Sequence, residues 1–391
     1  MNKQQEPCLR FNGFSGAWEE KYLDEVGEFS AGGDIKKEKL TPFGRYPVLA
    51  NALTNNGIVG FYNDYEFESP AITITGRGDV GIAKARKENF SAVVRLLVLK
   101  NKPNYDVDFL EKAINKIDFH IESTGVPQLT APQCRLYSIY LPSEPEQTHL
   151  GLFFRRLDSQ IAESSAVLEK SRQLKKAMLA KMFPANGEKI PKIRFKGFEG
   201  EWESRKLGEI GSTFGGLTNK SREDFGHGDA RYITYMNVYQ NALSSEHQLD
   251  SIEIDVKQNE VKKGDVLFTT SSETPEEVGM SSVWAFDINN VYLNSFCFGY
   301  RLNKQINLNY LAYCLRSDYI RSQMILLAQG ISRYNISKKG VMEIEILIPT
   351  AEEQTAIGNF FRQLDETIAL QSAEVEKLNQ LKKGLLAAML V

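Results

Sequence analysis

The sequence predicts an α+β protein with an internal pseudo-twofold repeat, in which two mixed α/β domains are separated by two long helices pairing as an antiparallel coiled coil. Three observations support this fold class. The two ends of one half recur in the other half, the recurring tail has the apolar spacing of a long helix, and the centres contain short strand-like runs. The predicted domains are 1–143 and 185–350, and the predicted helical segments are 144–184 and 351–391.

The repeat consists of two pairs of matching segments. PCLRFNGFSGAWEEKYLDEVG at 7–27 recurs as PKIRFKGFEGEWESRKLGEIG at 191–211. The segment 146–183 recurs at 353–390 with more than half of its aligned residues identical. The regions between the matching segments show almost no resemblance to each other, so the ends of each half repeat while the centres diverge.

The recurring tails predict two paired helices. Their apolar residues alternate at spacings of three and four, which is the seam of a coiled coil. Lys175 and Lys382 lie on this seam, where we expect them to loosen the contact. An alternative is that the helices only hold a domain core together. The seam residues, which we also expect to support partner docking, are Leu150, Phe154, Leu157, Ile161, Leu168, Ile357, Phe361, Leu364, Ile368 and Val375.

Each centre is predicted to combine short strands with a helix. An amphipathic helix is expected in DVDFLEKAINKI at 106–117, and another in NLNYLAYCLRSDYIRSQMIL at 307–326. The run RYITYMNVY at 231–239 has the alternation of a strand. Thr130 and Ser337 are predicted helix N-caps, because a hydroxyl there can accept from the first free amides of a helix.

A glycine motif, TITGRGDVG at 73–81, has the G-x-G-x-x-G spacing of dinucleotide-binding proteins. That function needs a helix to begin at the third glycine, whereas the residues that follow read as further strands. The motif therefore predicts a hairpin turn, whose amides, hydroxyls and cations suit a phosphate chain. The alternative that these cations form a solvated surface stays open.

Composition and motifs indicate a binding protein that is not an enzyme. The chain of 391 residues, 42% hydrophobic and 25% charged, is long enough for several domains. It contains no P-loop, no nucleophile elbow and no Asn/Asp-Pro-Pro-aromatic tetrad, and its four cysteines and four histidines form no metal-binding pattern. We take the acidic residues Glu273, Glu276 and Glu277 as a solvated loop. With no membrane-length apolar run or secretory signal, we expect a cytoplasmic protein without a membrane association.

The architecture resembles the specificity subunit of type I restriction-modification enzymes over the whole chain. The resemblance rests on FNGFSGAWE and FKGFEGEWE at the starts of the halves, EQTHLGLFFRRLD and EQTAIGNFFRQLD at the helix starts, and LKKAMLAKMF and LKKGLLAAML at the helix ends. In the centres, TITGRGDVGIAKA, GDVLFTTSSETPEEVGMSSVW and GISRYNISKKGVMEIEILIP are similar to target-recognition segments of that family.

The resemblance implies that each centre is a target-recognition domain reading one half of a split site in double-stranded DNA. It implies that the paired helices fix the unread gap and dock two modification subunits, which use S-adenosylmethionine to methylate adenine. Restriction subunits that use ATP and Mg would translocate and cut the DNA. No cofactor is expected in this chain. The main alternative is a coiled-coil scaffold that links two protein-binding domains without DNA readout.

Candidate DNA contacts are loop residues whose side chains suit bases or phosphates, since Arg pairs well with guanine and Asn or Gln with adenine. The formal net charge of −3 predicts weak, salt-sensitive DNA binding by the isolated chain. For any one candidate, an ordinary loop hydrogen bond is the alternative. The first centre is mildly basic through Lys36, Lys37, Lys39, Arg45, Arg77, Lys84, Arg86 and Lys87. The candidates are Asn55, Asn56, Thr73, Thr75, Arg77, Lys84, Arg86, Gln128, Gln133, Asn237, Thr269, Thr270, Ser271, Ser272, Arg333, Tyr334, Asn335 and Lys338.

Overall fold

The computed structural model describes residues 6–120 and 127–391. Contacts divide the chain into two compact units. Unit 1 contains the residues up to Ala166 together with Ala373–Val391, and unit 2 contains Val167–Ser372. The predicted mixed fold is confirmed, because both units combine sheets with helices. The predicted domain boundaries stay a prediction. No helix of the described ranges is long and apolar enough to cross a lipid bilayer.

Unit 1 holds the elements of the first half of the chain. Its helix α4 begins here and ends in unit 2. In chain order the elements are β1 Glu19–Tyr22, α1 Leu23–Val26, β2 Gly27–Ala31, β3 Tyr46–Leu49, β4 Ile58–Tyr62, β5 Ala71–Ile74, β6 Ala83–Arg86, β7 Ser91–Ala92, β8 Leu97–Asn101, α2 Val107–Ile114, α3 Ala131–Cys134, β9 Ser138–Leu141 and α4 Glu144–Met182, with 3₁₀ turns at Lys37–Lys39 and Thr54–Gly57.

Unit 2 holds the elements of the second half, and its helix α10 ends in unit 1. In chain order the elements are β10 Glu203–Lys206, α5 Leu207–Ile210, β11 Gly211–Gly215, β12 Phe225–Ile233, α6 Tyr235–Gln240, β13 Leu249–Ile252, β14 Val266–Thr269, β15 Ser271–Ser272, β16 Ser281–Val283, β17 Val291–Leu293, β18 Cys297–Leu302, α7 Leu308–Cys314, α8 Asp318–Leu326, β19 Tyr334–Asn335, α9 Lys338–Met342, β20 Glu345–Ile348 and α10 Ala351–Met389, with 3₁₀ turns at Arg222–Asp224 and Pro275–Glu277.

The two unlike centres share one sheet topology. Unit 1 has a sheet in the order β2-β8-β5-β6, and unit 2 has the matching order β11-β18-β14-β16. A second sheet runs β4-β3-β7 in unit 1 and β13-β12-β17 in unit 2, and in both cases the last pair is parallel. The two centres therefore adopt the same sheet topology although their sequences differ.

A buried ion pair connects the two repeated segments within each unit. In unit 1 the Nε of Arg10 donates to the Oε1 of Glu146 at 2.7 Å, and Glu146 is almost fully buried. In unit 2 Arg194 and Glu353 make the same contact at 2.7 Å. A buried carboxylate needs such a partner, so each pair fixes the start of a long helix to the segment that opens its half.

A glycine in each long helix allows a close approach to the neighbouring N-cap. A Cβ atom on Gly151 would lie 2.2 Å from the Oδ1 of Asp106, which caps α2. A Cβ atom on Gly358 would lie 2.6 Å from the amide nitrogen of Tyr310 in α7, whose cap is Asn307. The glycine that recurs in both tails is therefore required by packing at these two positions.

The long helices pair in antiparallel fashion within each unit. In unit 1 Lys382, near the end of α10, bonds Asp158 in the first half of α4 at 2.5 Å. In unit 2 Lys175, near the end of α4, bonds Asp365 in the first half of α10 at 2.5 Å. The expectation that both lysines loosen the seam is wrong, because each has an acidic partner on the other helix.

The predicted seam residues are buried or half-buried. Burial is strongest where a helix also packs on a domain, as at Phe154 and Phe361, which are fully buried. Leu150, Leu157, Leu168 and Ile357 are also buried. The seam residues that are only half-buried are Ile161, Leu364, Ile368 and Val375.

Local predictions in the centres have mixed outcomes. Thr130 and Ser337 cap α3 and α9, as predicted. The run 231–239 is wrong as one strand, because β12 ends at Ile233 and α6 begins at Tyr235. The helix predicted at 307–326 is interrupted between α7 and α8, where Ser317 becomes the N-cap of the second helix.

Candidate nucleic-acid interface

In unit 2 the structure joins two distant segments that the sequence singled out. The short strand β15 pairs with β19, so that Ser271 lies opposite Asn335 and Ser272 opposite Tyr334. The amide of Ile336 also donates to the carbonyl of Thr270 at 3.0 Å. The candidate residues of 269–272 and 333–335 therefore belong to one loop cluster.

A tight hairpin loop projects from this cluster. Backbone hydrogen bonds of 2.9 and 2.8 Å join Gln329 and Asn335 in both directions. Gly330 has a φ of 141°, and a Cβ atom there would lie 2.0 Å from the carbonyl oxygen of Arg333. The loop thus depends on glycine, and it leaves the side chains of Ile331 and Arg333 exposed.

A cavity of about 300 Å³ lies beside this hairpin. The rings of Tyr235 and Tyr239, one turn apart on α6, are nearly parallel at an angle of 15° with centroids 6.1 Å apart. The hydroxyl of Tyr235 donates to the carbonyl of Ser271 at 2.7 Å, and burial raises the pKa of Tyr235. The lining residues are Tyr235, Met236, Tyr239, Ser271, Ser272, Glu273, Glu277, Phe296 and Arg333.

Acidic and basic side chains both line this cavity. The hydroxyl of Tyr239 donates to the Oε1 of Glu277 at 2.6 Å, and this hydrogen bond raises the pKa of the tyrosine. Glu273 and Arg333 also line the cavity. The interpretation of Glu273 and Glu277 as a merely solvated loop is therefore incomplete, since both belong to a defined cavity.

The predicted threonines of unit 2 support the cluster from within. Thr269 is fully buried, and its Oγ1 accepts from the amide of Met280 at 3.0 Å. Thr270 donates its hydroxyl to the carbonyl of Phe296 at 2.6 Å. Because these hydroxyls bond backbone groups, the structure gives them a role in holding the loops and does not support direct base contacts.

Asn237 is the clearest correction among the candidates. It is fully buried, and its Nδ2 donates to the carbonyls of Ser245 and Gln248 at 2.7 and 3.0 Å. Ser272 is also buried and donates its hydroxyl to the carbonyl of Thr274. Asn237 is therefore not accessible to a base, and the hydroxyl of Ser272 is used within its own loop.

The remaining candidates of unit 2 lie at the surface. Asn335 is exposed, and its side-chain nitrogen donates to the carbonyl of Arg333 at 3.4 Å. Tyr334 is half-buried beside it. Lys338 is exposed at the start of α9, with its Nζ 6.0 Å from the ring centre of Phe298. These side chains are available to DNA next to the hairpin.

In unit 1 the glycine motif forms the hairpin turn between β5 and β6, as predicted. The turn contacts a second loop through a bridge between Arg77 and Gln128 and through the amide of Gly78, which donates to the carbonyl of Pro127 at 3.3 Å. The side chains of Arg77 and Gln128 are exposed side by side. No helix begins at the third glycine, which removes the dinucleotide interpretation.

Three other predicted residues of unit 1 hold the turn. Arg86 donates from Nε to the Oγ1 of Thr73 at 2.9 Å and from Nη1 to the carbonyl of Asn56 at 3.0 Å. Burial lowers the pKa of Arg86 to about 10. The Oγ1 of Thr75 accepts from the amide of Ile82 at 2.9 Å. A direct phosphate contact by Thr73, Thr75 or Arg86 is therefore not supported.

The last candidates of unit 1 have mixed roles. Asn55 and Asn56 are exposed in left-handed backbone conformations, with φ of 47° and 58°. Gln133 forms a capping box with Thr130, so its side chain is used to begin α3. Lys84 lies on β6, and burial lowers its pKa.

The basic character of the first centre is partly neutralised by ion pairs. Lys36 bonds Glu66 at 2.7 Å and Lys39 bonds Asp64 at 2.9 Å. Lys87 likewise bonds an aspartate of α2 at 2.5 Å. Over residues 6–120 and 127–391, no group of three His, Cys, Asp or Glu side chains could hold a metal ion.

The aromatic cavity of unit 2 was not predicted from the sequence. Tyr235 and Tyr239 stand four residues apart, which is the spacing of one helical face, yet the surrounding run alternates like a strand. The exposed Ile331 and Phe296 were also missed. Their importance depends on contacts between segments that are far apart in sequence.

Comparisons with known proteins identify the family. The family model described as type I restriction modification DNA specificity domain matches residues 16–170 and 199–380. The type I restriction enzyme MjaVIII specificity subunit of Methanocaldococcus jannaschii is 22% identical over 376 residues, covering 89% of this chain and 85% of that protein.

Other relatives match over part of the chain or are similar in fold. The putative type I specificity subunit S.MpnORF507P of Mycoplasma pneumoniae is 27% identical over 146 residues, and the match spans 37% of this chain and 40% of that relative. The crystal structure of a type I restriction-modification S subunit from M. genitalium has a TM-score of 0.68 at 16% identity and covers 99% of each chain, so the similarity concerns the fold. Because the family model covers more than half of the sequence, the protein belongs to the family of type I restriction-modification DNA specificity domains.

Proposed function

We propose that the chain is the DNA sequence-specificity subunit of a type I restriction-modification complex, in which each centre reads one half of a bipartite site. The observation that carries this proposal is that one topology occurs twice with different side chains on its loops. Two DNA-recognition domains with the same fold but different surface side chains would recognise an asymmetric DNA sequence in two parts. Half-site spacing on DNA follows the geometry of the protein that spans it.

The exposed side chains support this function in both units. In unit 1, Arg77 and Gln128 offer a guanidinium and an amide next to each other. In unit 2, Arg333 and Asn335 offer the same two groups on the hairpin. Arg pairs in bidentate fashion with guanine, and Asn or Gln with adenine. Asn55, Asn56, Lys84, Ser271, Tyr334 and Lys338 complete the proposed DNA-contact set.

We infer that the paired helices fix the gap and dock two modification subunits. Within unit 2, Val167, Leu174 and Leu370 on these helices are 49, 47 and 74% exposed, and in unit 1 Leu381 is 50% exposed. Apolar side chains of this size on an outer helix face are suited to a protein partner. The restriction subunits would join the same complex.

The chemistry is proposed to lie in the partner subunits. In this proposal the chain supplies no catalytic group and no cofactor of its own and acts in the cytoplasm. S-adenosylmethionine would be bound by the modification subunits, and ATP and Mg by the restriction subunits. The three cysteines at positions 134, 297 and 314 are buried, and burial raises the pKa of each thiol to about 12, which makes them poor nucleophiles.

Methylation mapping tests the proposal. The chain is expressed with its modification subunit in a host that lacks adenine methylation, and the genome is sequenced for modified bases. We expect one split motif with a constant gap. A stable complex of the two proteins without sequence-specific methylation would contradict the proposal and favour the scaffold that links two protein-binding domains.

A further inference from the structure

The tip of the unit 2 hairpin presents an apolar side chain to solvent. Ile331 is 95% exposed, although a branched aliphatic side chain gains free energy by leaving water. The loop that carries it is closed by the two backbone hydrogen bonds between Gln329 and Asn335 and by the tight turn at Gly330. The side chain is therefore held out from the surface by an ordered loop.

The cavity beside the hairpin has walls that suit a planar ring. The stacked pair of Tyr235 and Tyr239 forms one wall, while Met236 and Phe296 are 49 and 60% exposed around it. Its volume of about 300 Å³ lies at the lower end of the range of about 300–1,000 Å³ for ligand sites, which fits one small ring system. Aromatic faces of this kind bind unstacked bases by stacking.

The polar groups of the cavity favour a neutral ligand. The carboxylates of Glu273 and Glu277 line it, and they would repel a phosphate group. Carboxylates accept hydrogen bonds from the amino groups of bases, while the guanidinium of Arg333 donates to ring nitrogens and carbonyl oxygens. The hydrogen bond from Tyr239 to Glu277 fixes the acceptor in place. The cavity therefore has both kinds of group that recognise the edge of a base.

We propose that Ile331 inserts into the base stack of the DNA half-site read by unit 2, and that the cavity of Tyr235 and Tyr239 receives the nucleobase displaced by it. Apolar side chains of this type are used as wedges between base steps, and extruded bases are held between aromatic or apolar walls. The hairpin joins the two features, because Arg333, two residues after Ile331 in the same loop, lines the cavity. This inference rests on the proposed function and extends it to a specific base contact.

The experiment places 2-aminopurine at successive positions of the half-site that unit 2 reads. Each duplex is bound by the full chain in complex with its modification subunits, and only duplexes that are still methylated are scored. The position of the methylated adenine is left out, since that base is expected in the modification subunit. We expect a fluorescence increase of about fivefold or more at one further position, because stacking between neighbouring bases quenches this analogue and extrusion from the duplex relieves that quenching.

Variants and a matched control separate this inference from the proposed function. Ile331→Ala and Tyr239→Leu are expected to lower the signal at that position at least twofold. Val256→Ala removes a comparable apolar group, 92% exposed in the same unit, and is expected to leave the signal unchanged. If the complex methylates DNA but the fluorescence at every scored position stays as low as in free duplex DNA, the inference is wrong while the proposed function stands. A signal that Ile331→Ala does not change would lead to the same conclusion. Absence of sequence-specific methylation by the wild-type complex would overturn the proposed function together with it.

Discussion

Replacement of Gly358 by alanine tests the packing that explains the repeated glycine. The added Cβ would lie 2.6 Å from the amide nitrogen of Tyr310, 2.8 Å from the Cβ of Asn309 and 2.9 Å from the Oδ1 of Asn307. Overpacking of this kind costs about 1–3 kcal/mol. Displacing the Asn307 cap, which accepts from Tyr310 at 3.0 Å, adds about 1 kcal/mol.

Helix propensity opposes this cost, because alanine is favoured over glycine in a helix interior by about 1 kcal/mol. We therefore expect Gly358→Ala to lower the free energy of unfolding by about 1–3 kcal/mol. Gly384 is the matched control, since it lies in the same helix and its Cβ would meet no atom within 4 Å. Gly384→Ala is expected to raise stability by up to about 1 kcal/mol.

Urea unfolding followed by tryptophan fluorescence measures both variants. Trp202 and Trp284 report on unit 2, and Trp18 reports on unit 1. We expect the slope of the unfolding free energy against urea concentration to stay unchanged in both variants. The urea midpoint should be lower for Gly358→Ala and equal or higher for Gly384→Ala. Midpoint shifts of the same sign and size in the two variants would refute the close approach of α10 to the start of α7.

Other predictions concern readout, the loop core and the helix seam. Arg333→Ala should weaken cognate DNA binding by about 1–3 kcal/mol and leave non-specific DNA almost unaffected, as measured by fluorescence anisotropy; an equal loss on both would assign it to phosphate contact. Asn237→Ala should lower the stability of unit 2 by about 1–3 kcal/mol, because the carbonyls of Ser245 and Gln248 lose their donor and the amide of Ser245 loses its acceptor; a stability equal to wild type would contradict its structural role. Burial alone would raise the pKa of Asp158, but hydrogen bonds from Lys112 and Lys382 lower it overall. Asp158→Asn should therefore cost about 1–2 kcal/mol at neutral pH. The difference from wild type should shrink as the pH falls below the ordinary aspartate pKa of about 3.9 and disappear below the lower pKa of the folded protein; a difference that persists there would contradict the pairing.

The repeat and the long helices could be predicted from the sequence because their signals are local. Spacings of three and four apolar residues mark one helical face without knowledge of any partner. The caps at Thr130 and Ser337 depend on neighbours only a few residues away. The ion pairs of Lys175 and Lys382 could not be predicted in this way, since their partners lie on the other helix.

The shared topology of the centres is hidden from a single sequence. Strand pairing joins residues far apart in the chain, such as β2 with β8 and β11 with β18. In addition, many different apolar side chains fit the same buried position of a strand, so the same topology can be encoded by unlike sequences. The candidate DNA contacts show the same limit. Residue type identified Arg77 and Arg333 together with Asn237 and Thr269, but only tertiary structure separates exposed side chains from buried ones.

Exchange of one centre tests the central claim most directly. Residues 28–141 are replaced by the corresponding region of another family member, and the methylated motif is mapped with the same modification subunit. The account predicts that one half of the split motif changes while the other half and the gap stay the same. A motif that is unchanged, or that changes in both halves, would contradict the assignment of one DNA half-site to each centre.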